Sequence, residues 1–274
     1  MPDRDVSPQR VSHIVFTGEL SRRVREWGRA QGLSVNERGR IASQVIDAFF
    51  TANPDALAAA DRIELVRATV REPGDGRTSP DDYAWQDDLG TLGPSYTLTF
   101  VQHPDEREIL RRFRVKPQDI GMLTDEDVDE RILATDGHGD LVRVVGLGEW
   151  TVAVEKFGWQ GRAHQALREL SRDGGQAIAV SRQDNANHRL SYAADGQVIT
   201  SFNPEFPGIR EGVAPGHLDE HLRKLGIDPA ADDQIDNPLP AALCLTSWIS
   251  GVMLTPAHLN GPLPGGRISS PFSG

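Results

Sequence analysis

The chain has 274 residues, of which 38% are hydrophobic and 25% charged, and its formal net charge is -11. This composition is typical of a globular protein and excludes disorder over most of the length. No apolar run approaches the roughly 18 residues of a membrane-spanning helix. Residues 1–13 contain no apolar signal-peptide core, and the single cysteine, Cys244, excludes an internal disulfide. We therefore expect a cytoplasmic protein.

The charge is unevenly distributed along the chain. Residues 1–50 contain eight arginines and six acidic residues, a net charge of +2, so residues 51–274 carry -13. Residues 20–46 alone contain six arginines and two glutamates. A basic island on an acidic protein indicates an anionic partner for the island, although a solvated helix face explains the same charge.

The first predicted element is a helix over residues 18–31. Leu20, Val24 and Trp27 follow one another at spacings of four and three, which draws one apolar stripe along a helix. Gly32 suits the left-handed backbone position that follows a last helical turn. The pattern predicts an amphipathic helix that ends at this glycine.

A polar loop and a second helix, over residues 43–51, come next. Pro54 follows that helix closely and restricts the backbone of the residue before it to extended geometry. We expect the two helices and an inward-pointing residue of the loop to share a small core over residues 14–53. The predicted core residues are Val24, Trp27, Val35, Val45 and Phe49.

The remaining residues predict a connection over 54–80, a larger domain over 81–262 and a flexible tail over 263–274. Strands and helices do not alternate strictly in the larger domain, so the predicted fold class is α+β. Asp195-Gly196 is a strong hairpin-turn pair. The predicted elements are a strand at 95–101, a helix at 105–113, two strands within 140–156, a helix within 162–175, three strands within 176–204 and two further helices near 216–227 and 240–254.

The polar loop of the small module contains Arg38-Gly39-Arg40. A glycine between two arginines lets an extended backbone approach the floor of the DNA minor groove, where guanidinium groups are attracted to the narrow grooves of A·T-rich tracts. Yet about one chain in four of this composition contains such a tripeptide by chance. The tripeptide alone therefore does not indicate DNA binding.

Its surroundings are more specific. The stretch VREWGRAQGLSVNERGRIASQVIDAFFTA, residues 24–52, resembles the C-terminal DNA-binding domain of the H-NS-like nucleoid-associated silencers of actinobacteria. The tripeptide, its spacing and both helices agree with that family. Ala42 stands where the family usually has proline, and the family's basic oligomerisation domain has no counterpart in these residues.

The resemblance implies a partner and a role. The partner would be double-stranded A·T-rich DNA, contacted in the minor groove by Arg38, Gly39 and Arg40, with Arg22, Arg25 and Arg29 on phosphates. The role would be regulation of transcription in the nucleoid, as in xenogeneic silencing. One small module makes few phosphate contacts, so tight binding would need a homo-oligomer or a protein partner through the larger domain.

A second interpretation uses the same residues. The two-helix module also resembles the peripheral subunit-binding domain of 2-oxo acid dehydrogenase complexes, whose loop carries a Gly-Arg-Ile element like that of residues 39–41. That module docks proteins and not DNA. In this alternative the chain would be a protein-interaction adaptor.

Residues 81–262 resemble an uncharacterised actinobacterial α+β family, which implies an architecture but no activity. His217 and His221 lie four apart on a predicted helix, a spacing that can bind a metal, but an exposed polar face explains them more simply. We therefore predict no metal site, no cofactor, no membrane association and no enzymatic activity. Another Gly-Arg-Ile element, at 266–268, is a weak candidate for a second groove contact.

Overall fold

The computed structural model describes residues 18–33, 35, 43–53, 78–88, 90–135, 137, 139–183, 187–230, 234–235 and 237–272. The chain divides into two compact units, which we call the N-terminal unit (1–70) and the C-terminal unit (71–274). Each unit is treated separately below. In the part of the chain described, no helix has the length and apolar character needed to cross a lipid bilayer.

The N-terminal unit contains two helices, α1 (Gly18–Ala30) and α2 (Ser43–Ala52). Both occur where the apolar periodicity predicts them. Gly32 follows α1 with a φ of +74°. Its N–H donates to the Arg29 carbonyl oxygen (3.0 Å), and the Leu33 N–H donates to the Gly28 carbonyl oxygen (2.9 Å). These two bonds satisfy carbonyl groups that a helix end leaves free, so the left-handed glycine ends α1 as expected.

The C-terminal unit is built on one nine-stranded sheet in which all neighbouring strands are antiparallel. The spatial order is β2-β9-β3-β4-β1-β5-β6-β7-β8. The strands are β1 (Tyr96–Val101), β2 (Gly121–Leu123), β3 (Leu141–Leu147), β4 (Trp150–Lys156), β5 (Gln176–Arg182), β6 (Arg189–Ala194), β7 (Gln197–Phe202), β8 (Arg210–Glu211) and β9 (Leu263–Arg267).

Helices cover both faces of this sheet, and the predicted α+β class is confirmed. The six residues of β1, at the centre, are all buried. Leu98 and Phe100 join one apolar cluster with the long helix α7 (Pro238–Ser250), whereas Val101 joins a second cluster on the other face with α3 (Glu106–Arg112) and α5 (His164–Leu170). The helices are α3 (Glu106–Arg112), α4 (Asp125–Ala134), α5 (His164–Leu170), α6 (Asp219–Lys224), α7 (Pro238–Ser250) and α8 (Pro256–Leu259), with a 3-10 helix over Pro80–Asp87.

The end of the chain is part of the core, so the expectation of a flexible tail over 263–274 is wrong for residues 263–272. Strand β9 lies between β2 and β3. Phe272 is 2% exposed, and its ring meets the Phe113 ring edge-on with 6.4 Å between centroids. The Arg114 guanidinium carbon lies 3.9 Å from the centroid of the Phe272 ring.

The glycines of β9 explain why its composition is misleading. A Pro-Gly-Gly run is typical of a turn. Here a Cβ at Gly265 would lie 2.7 Å from the Val142 carbonyl oxygen, and a Cβ at Gly266 would overlap the Val115 side chain. The missing side chains let the strand fit against its neighbours, which is a tertiary requirement that local composition does not reveal.

Replacing Phe272 with alanine tests the role of the chain end. Phe272→Ala should lower the free energy of unfolding by about 3 kcal/mol, because it removes a buried aromatic side chain and leaves a cavity. Urea unfolding followed by circular dichroism measures the change. Phe206, which is 36% exposed, supplies the control Phe206→Ala. Equal losses in the two variants would contradict a core position for Phe272.

Candidate nucleic-acid interface

The core of the N-terminal unit lies between α1 and α2. Val24 is completely buried, and Val45 and Phe49, one turn apart on α2, are 5% and 3% exposed. The half-buried Trp27 packs edge-on against Phe49, with 5.6 Å between ring centroids and 80° between planes. Val35 is half-buried.

The arginines of α1 lie on the face opposite this core. Arg22, Arg25 and Arg29 follow one another at spacings of three and four, so they share one side of the helix. Arg22 and Arg29 are exposed, and Arg25 is half-buried. The helix thus presents a basic stripe to solvent while its other side holds the core. Arg29 also lies in the last turn of α1, where a positive side chain interacts favourably with the negative end of the helix dipole.

Glu26 interrupts the basic stripe. Its Oε1 lies 4.0 Å from the Arg22 Nε, and the two side chains are 63% and 70% exposed. An exposed pair of this kind contributes little to stability because solvent screens it. A carboxylate in the middle of the stripe does, however, lower the positive potential that an approaching polyanion meets.

Residues 36–42, which include Arg38, Gly39 and Arg40, lie outside the described residues. The described residues end at Val35 on one side of this segment and begin again at Ser43 on the other. The structure therefore brings together α1, Val35 and α2 around one core. Gly28 also belongs to this core, although the sequence patterns did not single it out. Gly28 is buried on α1, where the apolar stripe runs.

The C-terminal unit holds its candidate residues in structural roles. The His217 ring stacks on Tyr192 with 5.3 Å between centroids, and the His221 Nδ1 is buried without a hydrogen-bond partner. Among the described residues no group of three or more histidine, cysteine, aspartate or glutamate side chains could hold a metal ion. Arg267, the weak candidate for a second groove contact, donates from Nε to the Asp140 Oδ2 (2.7 Å).

An open groove of about 470 Å³ lies beside β7 and β8. Among its lining residues, Glu211 has its Oε1 3.5 Å from the His164 Nε2, and the same oxygen lies 2.6 Å from the Nη1 of the neighbouring Arg189. The lining residues are His164, Arg168, Gly196, Gln197, Val198, Glu211, Gly212 and Val213.

Glu155 is a buried carboxylate that the sequence patterns did not reveal. It is 1% exposed, and its oxygens accept hydrogen bonds from the backbone N–H groups of Gln160 (2.9 Å) and Gly161 (2.7 Å). A Cβ at position 161 would lie 2.7 Å from the Glu155 Oε2, so glycine permits this close approach. Burial raises the pKa of Glu155 from 4.5 to about 7, partly offset by these two N–H donors. Because both oxygens are engaged, the carboxylate organises a turn.

Two family matches agree with this division of the chain. The Lsr2 DNA-binding domain matches residues 17–52, which span both helices and the segment between them. The family of unknown function DUF6461 matches residues 76–262. No curated protein and no solved structure gives a significant match. Neither matching description names an enzymatic activity, and the first supports a DNA-binding, nucleoid-associated role.

The second match covers more than half of the chain, and the protein therefore belongs to the family of unknown function DUF6461. The two matches also confirm the layout expected from the sequence, with an H-NS-like DNA-binding module before a larger domain of an uncharacterised family.

The pH dependence of stability tests the environment of Glu155. Its pKa is about 7 in the folded chain and 4.5 in the reference state. Between these values the unfolded chain releases a proton that the folded chain keeps, so the free energy of unfolding falls as the pH rises. The total loss is about 3 kcal/mol, and it is complete above pH 7.

Glu155→Gln mimics the protonated acid and should remove this fall. Urea unfolding at pH 4.5, 6 and 7.5 measures it, with the exposed Glu126→Gln as control. The stability of Glu155→Gln relative to the wild type should rise by about 3 kcal/mol across this range. Parallel pH profiles for the two proteins would show that the Glu155 pKa is not raised.

Proposed function

We propose that the N-terminal unit binds the minor groove of A·T-rich double-stranded DNA and that the chain acts as a regulatory, nucleoid-associated protein. The observation that carries this proposal is the basic stripe on α1, which faces away from the core in a region matched by the Lsr2 DNA-binding domain. Arg38, Gly39 and Arg40 would enter the groove, and Arg22, Arg25 and Arg29 would contact phosphates.

The two groups of arginines have different tasks in this mechanism. Phosphate contacts set the position and orientation of a protein on DNA without reading its sequence. Arginines inside the minor groove respond to its width and potential, which are most favourable in A·T-rich tracts. A preference for A·T-rich DNA would therefore come from Arg38 and Arg40, and a general affinity for DNA from α1.

The acidic part of the chain restricts how the protein approaches DNA. Residues 51–274 carry a net charge of -13, which repels phosphates. We infer that contact with DNA is confined to the N-terminal unit. The C-terminal unit would link several such units through a homo-oligomer or a protein partner, because one module with few phosphate contacts binds weakly. In this proposal the protein works in the cytoplasm, at the nucleoid.

Arg40→Ala tests the groove contact. We expect it to weaken binding to an A·T-rich duplex by about fivefold or more, since one well-placed arginine contact with bases contributes at least about 1 kcal/mol. Binding to a G·C-rich duplex should change less. Fluorescence anisotropy with labelled duplexes gives both values. Arg111→Ala is a matched control, because Arg111 is a 56% exposed arginine of the C-terminal unit.

The same titration separates the alternatives. Equal affinities of the wild type for the two duplexes, or an unchanged affinity in Arg40→Ala, would contradict minor-groove recognition. If residues 20–52 instead capture a protein in a pull-down that survives nuclease treatment, the module docks proteins as a peripheral subunit-binding domain does.

Substitutions on α1 should act on both duplexes alike. Arg29→Ala removes one proposed phosphate contact, so it should weaken both complexes by a similar factor and lower the slope of log K against log salt by about 1. Glu26→Gln should strengthen both complexes, because it removes a negative charge beside Arg22. A change confined to one duplex, or opposite signs to those stated, would exclude a phosphate-contacting role for this face.

A further inference from the structure

The groove beside β7 and β8 belongs to the C-terminal unit and takes no part in the proposed contact with DNA. Its volume of about 470 Å³ falls within the roughly 300–1,000 Å³ of clefts that bind small molecules. One wall is α5, which contributes His164 and Arg168, and the other is the edge of the sheet, which contributes Glu211 and Val213. The lining thus combines charged and apolar side chains, as ligand-binding clefts do.

Backbone hydrogen bonds hold both walls of the groove in place. The turn between β6 and β7 is tied to the residue after α5, because the Gly196 N–H donates to the Ser171 carbonyl oxygen (3.2 Å). The chain beyond β8 is tied to β7, because the Val213 N–H donates to the Val198 carbonyl oxygen (3.1 Å). The fold itself therefore preorganises the groove, so that a ligand would not have to order its walls.

Glu211, the one carboxylate among the described lining residues, is already paired. Its Oε1 lies 2.6 Å from the Arg189 Nη1 and 3.5 Å from the His164 Nε2. Arg189 also donates to the Ser201 Oγ (3.1 Å), which fixes the guanidinium group beside Glu211. The negative charge of Glu211 is therefore compensated by Arg189.

Arg168 is the cation that this pairing leaves over. It is exposed, and it follows His164 by four residues on α5, so the two side chains lie on the same side of the helix. Within the part of the chain that the structure describes, its guanidinium group has no hydrogen bond or ion pair. Such a group offers a planar fork of N–H donors that matches the oxygens of a carboxylate or a phosphate. Arg168 thus gives the groove an uncompensated positive charge, although residues 51–274 together carry -13.

Valine side chains add a second kind of contact to the groove. Val198 is 6% exposed and Val213 is 65% exposed, and both line the groove. An exposed valine near an unpaired arginine favours a ligand that has both an anionic group and an apolar portion.

We propose that the groove between α5 and the sheet edge at β7 and β8 binds a small organic anion, which bears a carboxylate or phosphate group and an apolar portion. Arg168 donates hydrogen bonds to the anionic group, and Val213 contacts the apolar portion. This inference goes beyond the proposed function, because it gives the C-terminal unit a ligand of its own, and it does not depend on DNA binding.

Calorimetric titration of the full-length chain with four probes tests the site. Phenyl phosphate and benzoate carry both features of the ligand, inorganic phosphate lacks the apolar portion, and benzamide is the uncharged counterpart of benzoate. At constant ionic strength we expect at least one of the two organic anions to bind with a Kd of about 1 mM or lower. Inorganic phosphate and benzamide should bind at least about fivefold more weakly, since each lacks one of the two contacts. The tighter of the two organic anions identifies the anionic group as phosphate or carboxylate.

Two pairs of variants locate the binding. Arg168→Gln should weaken it by about tenfold or more, because charge-assisted hydrogen bonds are lost. Arg107→Gln is its matched control, since Arg107 is also an exposed arginine of a seven-residue helix but lies outside the lining. Val213→Asp places a negative charge in the groove and should also weaken binding. Its control is Ile209→Asp, at a 79% exposed residue outside the lining.

The outcomes decide the proposal in either direction. Binding that Arg168→Gln and Val213→Asp reduce and the two control variants leave unchanged supports it. It is overturned if neither organic anion binds the wild type, if benzamide binds as tightly as benzoate, or if Arg168→Gln binds as the wild type does. Equal losses within either pair show a general effect of surface charge and overturn it too. The DNA titrations are independent of all these results, so that failure here leaves the proposed function as it stands.

Discussion

The structure of the N-terminal unit depends on the contact between two short helices, each of which buries one apolar face against the other. Val24 and Trp27 of α1 use that face against Val45 and Phe49 of α2. The opposite side of α1 carries the arginines, of which Arg22 and Arg29 are exposed and Arg25 is half-buried. In the described part of this unit, the one core shared by two short helices therefore determines which side of α1 carries the charged side chains.

In the C-terminal unit, several arginines are paired with carboxylates. The buried Arg143 interacts with the Asp125 carboxylate, and Arg131 donates to both oxygens of Asp140 at 2.8 and 2.6 Å. Hydrogen bonds from Arg131 lower the pKa of Asp140, so the pair stays charged over the physiological range. Arg143 and Arg131 are thus engaged by acidic neighbours, whereas Arg22 and Arg29 of α1 are exposed.

Local sequence patterns were sufficient to predict those elements whose own residues show a clear periodicity or turn motif. The stripe on α1, the alternating residues of β1 and the turn at Asp195-Gly196 all predict what the structure contains, and Asp195 and Gly196 have φ values of 46° and 72°. No element was predicted between residues 114 and 139, although Thr124 and Asp127 form a capping box at the start of α4. Strand β2 has three residues and depends on β9, which forms only through a distant contact. The arginines of the candidate site could be selected from their pattern, whereas the packing of Val35 and Val45 against Gly28 is a tertiary contact that no sequence pattern encodes.

The position of β9 also has a consequence for the order of events during protein synthesis. Strand β3 has one neighbour, β4, close in the chain, while its other neighbour is translated more than 110 residues later. At about 5–20 residues per second the nascent chain exposes that edge of β3 for roughly 6 to 25 s. An unpaired edge is a template for association with other chains. The helices of the N-terminal unit leave the ribosome before the sheet and do not wait for a distant partner strand. The period of exposure to association therefore concerns the sheet, and it ends when β9 emerges.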